Sequence, residues 1–200
     1  MQFMKHFLLL VTVILSACTI NAQSQNYNDS LQQFRNNYIE THEVVKGENR
    51  KAFRFFPINE KYRIVTRFEA VQDSIGFMMP TSGKKTSRYF VAGKLQFKLN
   101  NRSFTLTVYK SEQLMSIKEY ENYLFVPYTD LTSGDKSYGG GKYLEFYTTD
   151  IINNQVVIDF NKAYNPYCAY ASGFNCPIPP RENDLPIAIE AGEMDFAIKH

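Results

Sequence analysis

Hydrophobic positions follow one period near the start of the chain and another from about residue 62 onward. Over residues 28–45, NDSLQQFRNNYIETHEVV, the residues Leu31, Phe34, Tyr38 and Ile39 recur at helical spacing. Asn28, Asp29 or Ser30 can cap the first turn, so the pattern predicts a helix with His42 on its surface. KGENRK then interrupts the pattern with Gly47 and a cluster of charges, which reads as a solvated loop.

From there the period is two. In YRIVTRFEAV, Tyr62, Ile64, Thr66, Phe68 and Ala70 alternate with more polar neighbours, as a half-buried strand requires. KLQFKLNNRSFTLTVYK predicts a hairpin. Leu95, Phe97 and Leu99 share one face of its first arm, and Phe104, Leu106 and Val108 share one face of its second. Asn100 and Asn101 between the arms tolerate the positive φ of a tight turn. SIGFMMPT, SRYFVAG, YLFVPY, KYLEFY, QVVIDF and PIAIEAG predict further short strands set off by Gly, Pro, Asn and Asp. The expected fold is therefore mainly β, an antiparallel barrel or sandwich with an N-terminal helix. The 16 Phe and 14 Tyr suit strand pairing and a packed interior, and the absence of βαβ alternation argues against a nucleotide-binding α/β fold.

Composition changes the picture at the N-terminus. In MQFMKHFLLLVTVILSACTINAQ, Lys5 and His6 precede an apolar run from Phe7 to Leu15, too short for a bilayer span of ~20 residues but suited to an export signal. Two processing readings compete within residues 1–22. LSAC resembles a bacterial lipobox that would place a lipid on Cys18, whereas cleavage after Ala22 would release a soluble product. Residues 23–200 are then expected to form a single β-rich domain, exported to the cell envelope and touching a membrane only through a lipid on Cys18. The whole chain has 22 Lys+Arg against 20 Asp+Glu. Removing Lys5 with the signal leaves 21 against 20, so there is no electrostatic footprint for nucleic acid.

Export also gives meaning to the cysteines. Cys168 and Cys176 are the pair left once Cys18 is assigned to the signal, and an even count in an exported chain predicts a disulfide. Free thiols and a metal pair are the alternatives. A metal would need four ligands, and the mature chain offers only His42 and the terminal His200 as histidines. No cofactor is expected.

Two dense stretches carry the candidate chemistry. PYTDLTSGDKSYGGGKYLEF, residues 127–146, has the glycine gap of a phosphate loop between Gly134 and Gly139, but Gly140 occupies the lysine position. Read as a calcium loop from Asp130, it has Gly134 and Gly141 where ligands belong. The plainer reading is that Gly139, Gly140 and Gly141 permit a bulge or close turn. No G-x-S-x-G elbow is present. Asp130 and Asp159 are candidate acid–base groups, with Tyr138 or Tyr143 nearby, although spacing alone cannot bring two carboxylates together. In VVIDFN, Asp159 and Asn161 share one face opposite Val156, Ile158 and Phe160. The second stretch, DFNKAYNPYCAYASGFNCPIPPREN, residues 159–183, reads as a long Pro-rich loop stapled by its cysteines, with Tyr164, Tyr167, Tyr170 and Phe174 packing it onto the end of the β-fold.

These two stretches, with the closing LPIAIEAGE, resemble the family known as domain of unknown function 1684. Its members carry D-x-T-S-G-x-x-[ST]-Y-x-x-G-[RK]-[YF] and later D-F-N-x-A-Y-N-P-x-C-A-Y and C-P-x-P-P-x-x-N. The first motif falls here on Asp130, Thr132, Ser133, Gly134, Tyr138, Gly141 and Tyr143. The later ones fall on Asp159, Asn161, Tyr164, Asn165, Cys168, Cys176, Pro177 and Asn183, with Glu193 in the closing segment. Lys142 stands where arginine is frequent. The resemblance implies a single domain and carries no established activity. The leading expectation is a small polar ligand bound in a pocket formed by the 130–143 and 159–183 segments, rimmed by Asp130, Thr132, Ser133, Tyr138, Tyr143, Asp159, Asn161, Tyr164, Asn165, Asn183 and Glu193. A hydrolase using Asp130 or Asp159, and a purely structural envelope component, are the competing expectations.

Overall fold

The structure is a computed structural model that describes residues 25–198. Residues 1–22, where an export signal is expected, with Cys18 among them, and His200 lie outside the described residues. Residues 25–41 form helix α1, most of which falls in a first compact unit ending at Glu40, while Thr41–His200 form a second. The helix stops earlier than the predicted residue 45. His42 follows its last turn and is buried rather than exposed. The bend after it lets His42 Nδ1 accept the Val45 N–H at 2.9 Å. The rings of Phe53, Tyr167 and Tyr170 then pack edge-on against the imidazole at 5.0, 5.7 and 4.6 Å.

The second unit is built on one curled antiparallel sheet, a half-barrel. Its strands are β1 (Arg63–Ala70), β2 (Phe77–Met79), β3 (Ser87–Leu99), β4 (Arg102–Ser111), β5 (Tyr123–Asp130), β6 (Lys142–Tyr147), β7 (Gln155–Asp159) and β8 (Asp184–Leu185). The order is β6-β5-β4-β3-β1-β7, with β2 added to β3 and β8 running parallel to β5. The curl brings the ends of this path toward each other, so that Phe68 of β1 meets Phe146 of β6 at 6.4 Å. Inward residues of every strand on the path, among them Phe68, Leu95, Leu106, Leu124, Leu144 and Ile158, share one apolar core.

The β3–β4 hairpin forms as predicted, with Asn100 and Asn101 at φ 51° and 60°. The two strands expected in SRYFVAG and KLQFKLN are one strand of 13 residues, interrupted only by a register shift between Val91 and Gly93. Asn153 and Asn154 repeat the tight-turn conformation at φ 51° and 59°, and reciprocal backbone bonds between Ile152 and Gln155 close a second turn ahead of β7.

PIAIEAG is not a strand. Ile189 and Ala191 are fully buried, but their segment folds into tight turns with Ile187 N–H on Leu185 O and Ala191 N–H on Ile189 O, 2.8 Å each. Leu131 N–H bonds Ile187 O, Phe56 N–H bonds Gly192 O and the Tyr62 hydroxyl accepts the Glu190 N–H. Side chains of β5 and β6, described below, serve Ile189 and the Ala191 carbonyl.

Outward residues of the sheet form a second apolar layer. Tyr89, Tyr109, Phe125 and Tyr143 are buried there with Met79. The chain from Ala163 to Pro180 crosses this layer as a strap. Tyr143 and Tyr164 exchange backbone bonds at 2.8 and 3.1 Å. Further along, Ser82 N–H reaches Cys176 O at 2.9 Å and Ile178 N–H reaches Pro80 O at 2.9 Å. The Cys168–Cys176 disulfide closes the strap on itself, with Cα atoms 6.3 Å apart.

Candidate functional site: a tyrosine-walled cleft

The 130–143 and 159–183 segments meet, as the backbone pairing of Tyr143 with Tyr164 requires, but they do not form a single polar pocket. Their polar residues separate into knots that tie the chain together and a cleft that opens between strap and sheet.

The deepest knot centres on Lys142, a residue outside the expected pocket. Lys142 and Asp130 both have fully buried side chains, with Lys142 Nζ 3.2 Å from Asp130 Oδ2. The ammonium also donates to Ile189 O at 3.2 Å and Ala191 O at 3.3 Å, and lies 3.4 Å from Thr132 Oγ1. Asp130 Oδ1 accepts the N–H of Thr132 at 2.6 Å and of Ile189 at 3.3 Å. Burial pulls the Lys142 pKa down, while the neighbouring Asp130 and Glu193 carboxylates oppose that shift. Thr132 and Ser137 join their hydroxyls at 2.8 Å, and Ser133 Oγ accepts the Asp130 N–H at 3.1 Å. The group has no open path to solvent. What it does is satisfy the strandless 186–192 segment.

Gly141 shows why this loop needs glycine. Its φ is +85°, and a Cβ there would lie 2.5 Å from Tyr128 O and 2.9 Å from Pro179 Cγ. The three-glycine stretch therefore passes against the strap's exit.

Other expected site residues are held by hydrogen bonds within the chain. Glu193 is fully buried, where it accepts the Asn165 N–H at 3.0 Å and the Tyr170 hydroxyl at 2.7 Å. Asp159 Oδ1 accepts the Asn161 N–H at 3.0 Å, and the Asn161 amide pairs with the backbone of Asn59 at 3.1 and 2.9 Å. Asn183 inserts its amide where β4 and β5 diverge, accepting Thr107 N–H at 2.7 Å and donating to Thr107 O and Pro127 O at 2.8 Å each. Asp130 and Asp159 are thus occupied in separate networks. Tyr138 lines a hollow of about 370 Å³ where the glycine loop faces Cys168, Ala169 and Asp195.

The cleft is elsewhere on the same rim. Tyr89, Tyr123, Phe125 and Tyr143 from the outer face of the sheet, and Tyr164, Asn165 and Tyr167 from the strap, enclose about 310 Å³. Two of its ring pairs stand close to right angles, Phe125 and Tyr143 at 76° and 4.8 Å and Tyr143 and Tyr164 at 89° and 5.9 Å, while Tyr89 is tilted at 35° to Phe125. Glu145 Oε2 accepts the hydroxyls of both Tyr123 and Tyr164 at 2.8 Å, fixing a strap ring to a sheet ring. Burial, then the Glu145 charge beside it, pushes the Tyr123 phenol up. Tyr164 moves the same way, so both stay neutral. Of the expected residues, Tyr143, Tyr164 and Asn165 line this cleft. Tyr89, Tyr123 and Glu145 were absent from the expected pocket, although the alternation Tyr143-Glu145-Tyr147 places a carboxylate on the aromatic face of β6.

A larger hollow of about 620 Å³ opens over Phe68, Val71, Phe90 and Met115. Gln72, Ser74, Lys110 and Thr148 line it as well, and its carboxylate, Asp73, accepts the N–H groups of Gly76, Val91 and Ile75 at 2.9–3.0 Å.

Fold and cleft together define a half-barrel β-domain with a disulfide-closed strap over an aromatic outer face. The chain belongs to the family described as protein of unknown function (DUF1684), whose model matches residues 49–194. It is similar to an uncharacterized protein of Haloarcula marismortui solved by solution NMR, with 28% identity and a TM-score of 0.64 over 86% of this chain and 96% of that one. No curated protein matches.

Proposed function

We propose that this protein binds a small organic ligand in the cleft between the strap and the outer face of the sheet. The observation that carries this reading is the set of converging rings around a volume of about 310 Å³, held open by Glu145. Ligand sites are concave and mostly apolar, with a few placed polar groups, and Ser111, Asn165 and Asn175 supply those here. The domain works outside the cytoplasm, held at the envelope by lipid on Cys18. The apolar run ahead of LSAC motivates that reading, and a disulfide between Cys168 and Cys176 fits an oxidising compartment. Absence of a lipid mass on Cys18 in chain recovered from membranes would remove the anchor.

The binding test is a thermal-shift screen of small organic compounds against the wild-type chain and two variants. Tyr167→Ala removes a partly exposed wall, and Tyr123→Leu removes a ring together with its bond to Glu145. Compounds that raise the melting temperature of the wild type should lose most of that shift in both variants, whose far-ultraviolet spectra stay native. Hits whose shifts survive both substitutions would place binding elsewhere and overturn the proposal.

A further inference from the structure

The cleft has a sign. None of the residues lining it is charged, yet three of its five tyrosine hydroxyls point their protons at carboxylates, while that of Tyr143 donates to the Pro177 carbonyl. Glu145 takes those of Tyr123 and Tyr164, and Glu43 takes that of Tyr167 at 2.9 Å. A phenol that donates to a carboxylate has a more electron-rich ring, and the face of such a ring attracts a cation. Two carboxylates just behind the walls repel an anion and attract a positive charge.

The geometry selects among cations. A bare metal ion or an unsubstituted ammonium wants several oxygen ligands or acceptors, and the cleft walls are mostly aromatic rings instead. An alkylated ammonium spreads its charge over C–H groups, gives up little hydration, and gains ring faces on several sides. We propose that the ligand carries an organic ammonium head, tertiary or quaternary, seated against Tyr143, Tyr164 and Phe125 with Glu145 as its counter-charge. This rests on the cleft being the binding site proposed above.

Choline and its neutral isostere 3,3-dimethylbutan-1-ol separate the two claims, because they share a shape and differ in charge. Calorimetric titration of the full chain should show choline binding about tenfold more tightly than the isostere. Glu145→Gln, which keeps an acceptor for both phenols, should weaken choline several-fold and leave the isostere unchanged. Equal affinity for the two compounds, or an undiminished choline affinity in Glu145→Gln, would overturn the ammonium assignment while leaving the cleft as a site for neutral ligands. No binding of choline at millimolar concentration would also overturn it. The cleft itself stands or falls separately, on whether screening hits depend on Tyr167 and Tyr123.

Discussion

A single histidine shows how an exposed-looking residue becomes a stability determinant. His42 sits among the rings of Phe53, Tyr167 and Tyr170. Burial, reinforced by the Lys46 charge, lowers its pKa from 6.5 to about 4. The folded protein therefore keeps the imidazole neutral in a range where the unfolded chain takes up a proton. Above pH 6.5 neither state is protonated and His42 adds no pH dependence. Between pH 6.5 and about 4 the unfolded state binds more protons, so stability falls as pH falls, by up to about 3 kcal/mol. Carboxylates titrate near the lower end of that window, so the comparison must be with a variant. His42→Asn keeps an acceptor where Nδ1 receives the Val45 N–H. Urea unfolding of wild type and variant at pH 7 and pH 4.5 should show the smaller loss of stability in the variant, and parallel losses would contradict the assignment.

At the scale of elements, what could be read from sequence was what is local. The β3–β4 hairpin rests on two adjacent asparagines and on alternation within each arm, so it was predicted residue by residue. The segment 186–192 looked equally strand-like. Many of its backbone partners, however, are groups brought in from distant parts of the chain, among them Lys142, 47 and 49 positions from the carbonyls it serves. No periodicity encodes that. The cleft was half legible: the motifs brought Tyr143, Tyr164 and Asn165 into view, whereas Tyr89 and Tyr123 join them only because β3, β4, β5 and β6 lie side by side. The Lys142–Asp130 pair should behave as a buried ion pair does, costly to break from one side. Lys142→Met leaves Asp130 charged and buried and strips two carbonyls of their donor, so it should destabilise by about 3–5 kcal/mol. Adding Asp130→Asn should recover part of that loss. Equilibrium unfolding of Lys142→Met, Asp130→Asn alone and the double variant forms the test, and additive losses would mean the two side chains do not act as a pair.

For the molecule as a whole, the question is how firmly the strap is held to the sheet. Two kinds of attachment act together, backbone bonds to Tyr143, Pro80 and Ser82 and the Tyr164 phenol bond to Glu145, while the disulfide closes the strap on itself. The disulfide joins residues only 8 apart, so the chain-entropy model gives about 2.5 kcal/mol from restricting the unfolded state. That is smaller than the stability of a typical domain, and the core inside the half-barrel lies on the other side of the sheet from the strap. Replacing both cysteines by serine should therefore lower the urea midpoint while leaving the far-ultraviolet spectrum of the sheet intact. The Tyr143–Tyr164 pairing does not depend on the bridge, so the near end of the cleft should persist. Phe174 and Asn175, inside the closed loop, gain freedom, and ligands that stabilise the wild type should stabilise the double variant less. If the midpoint and the ligand response are both unchanged, the bridge adds nothing to the strap that its hydrogen bonds do not already provide. If the sheet unfolds outright, the strap belongs to the folding core and the cleft cannot be loosened separately from it.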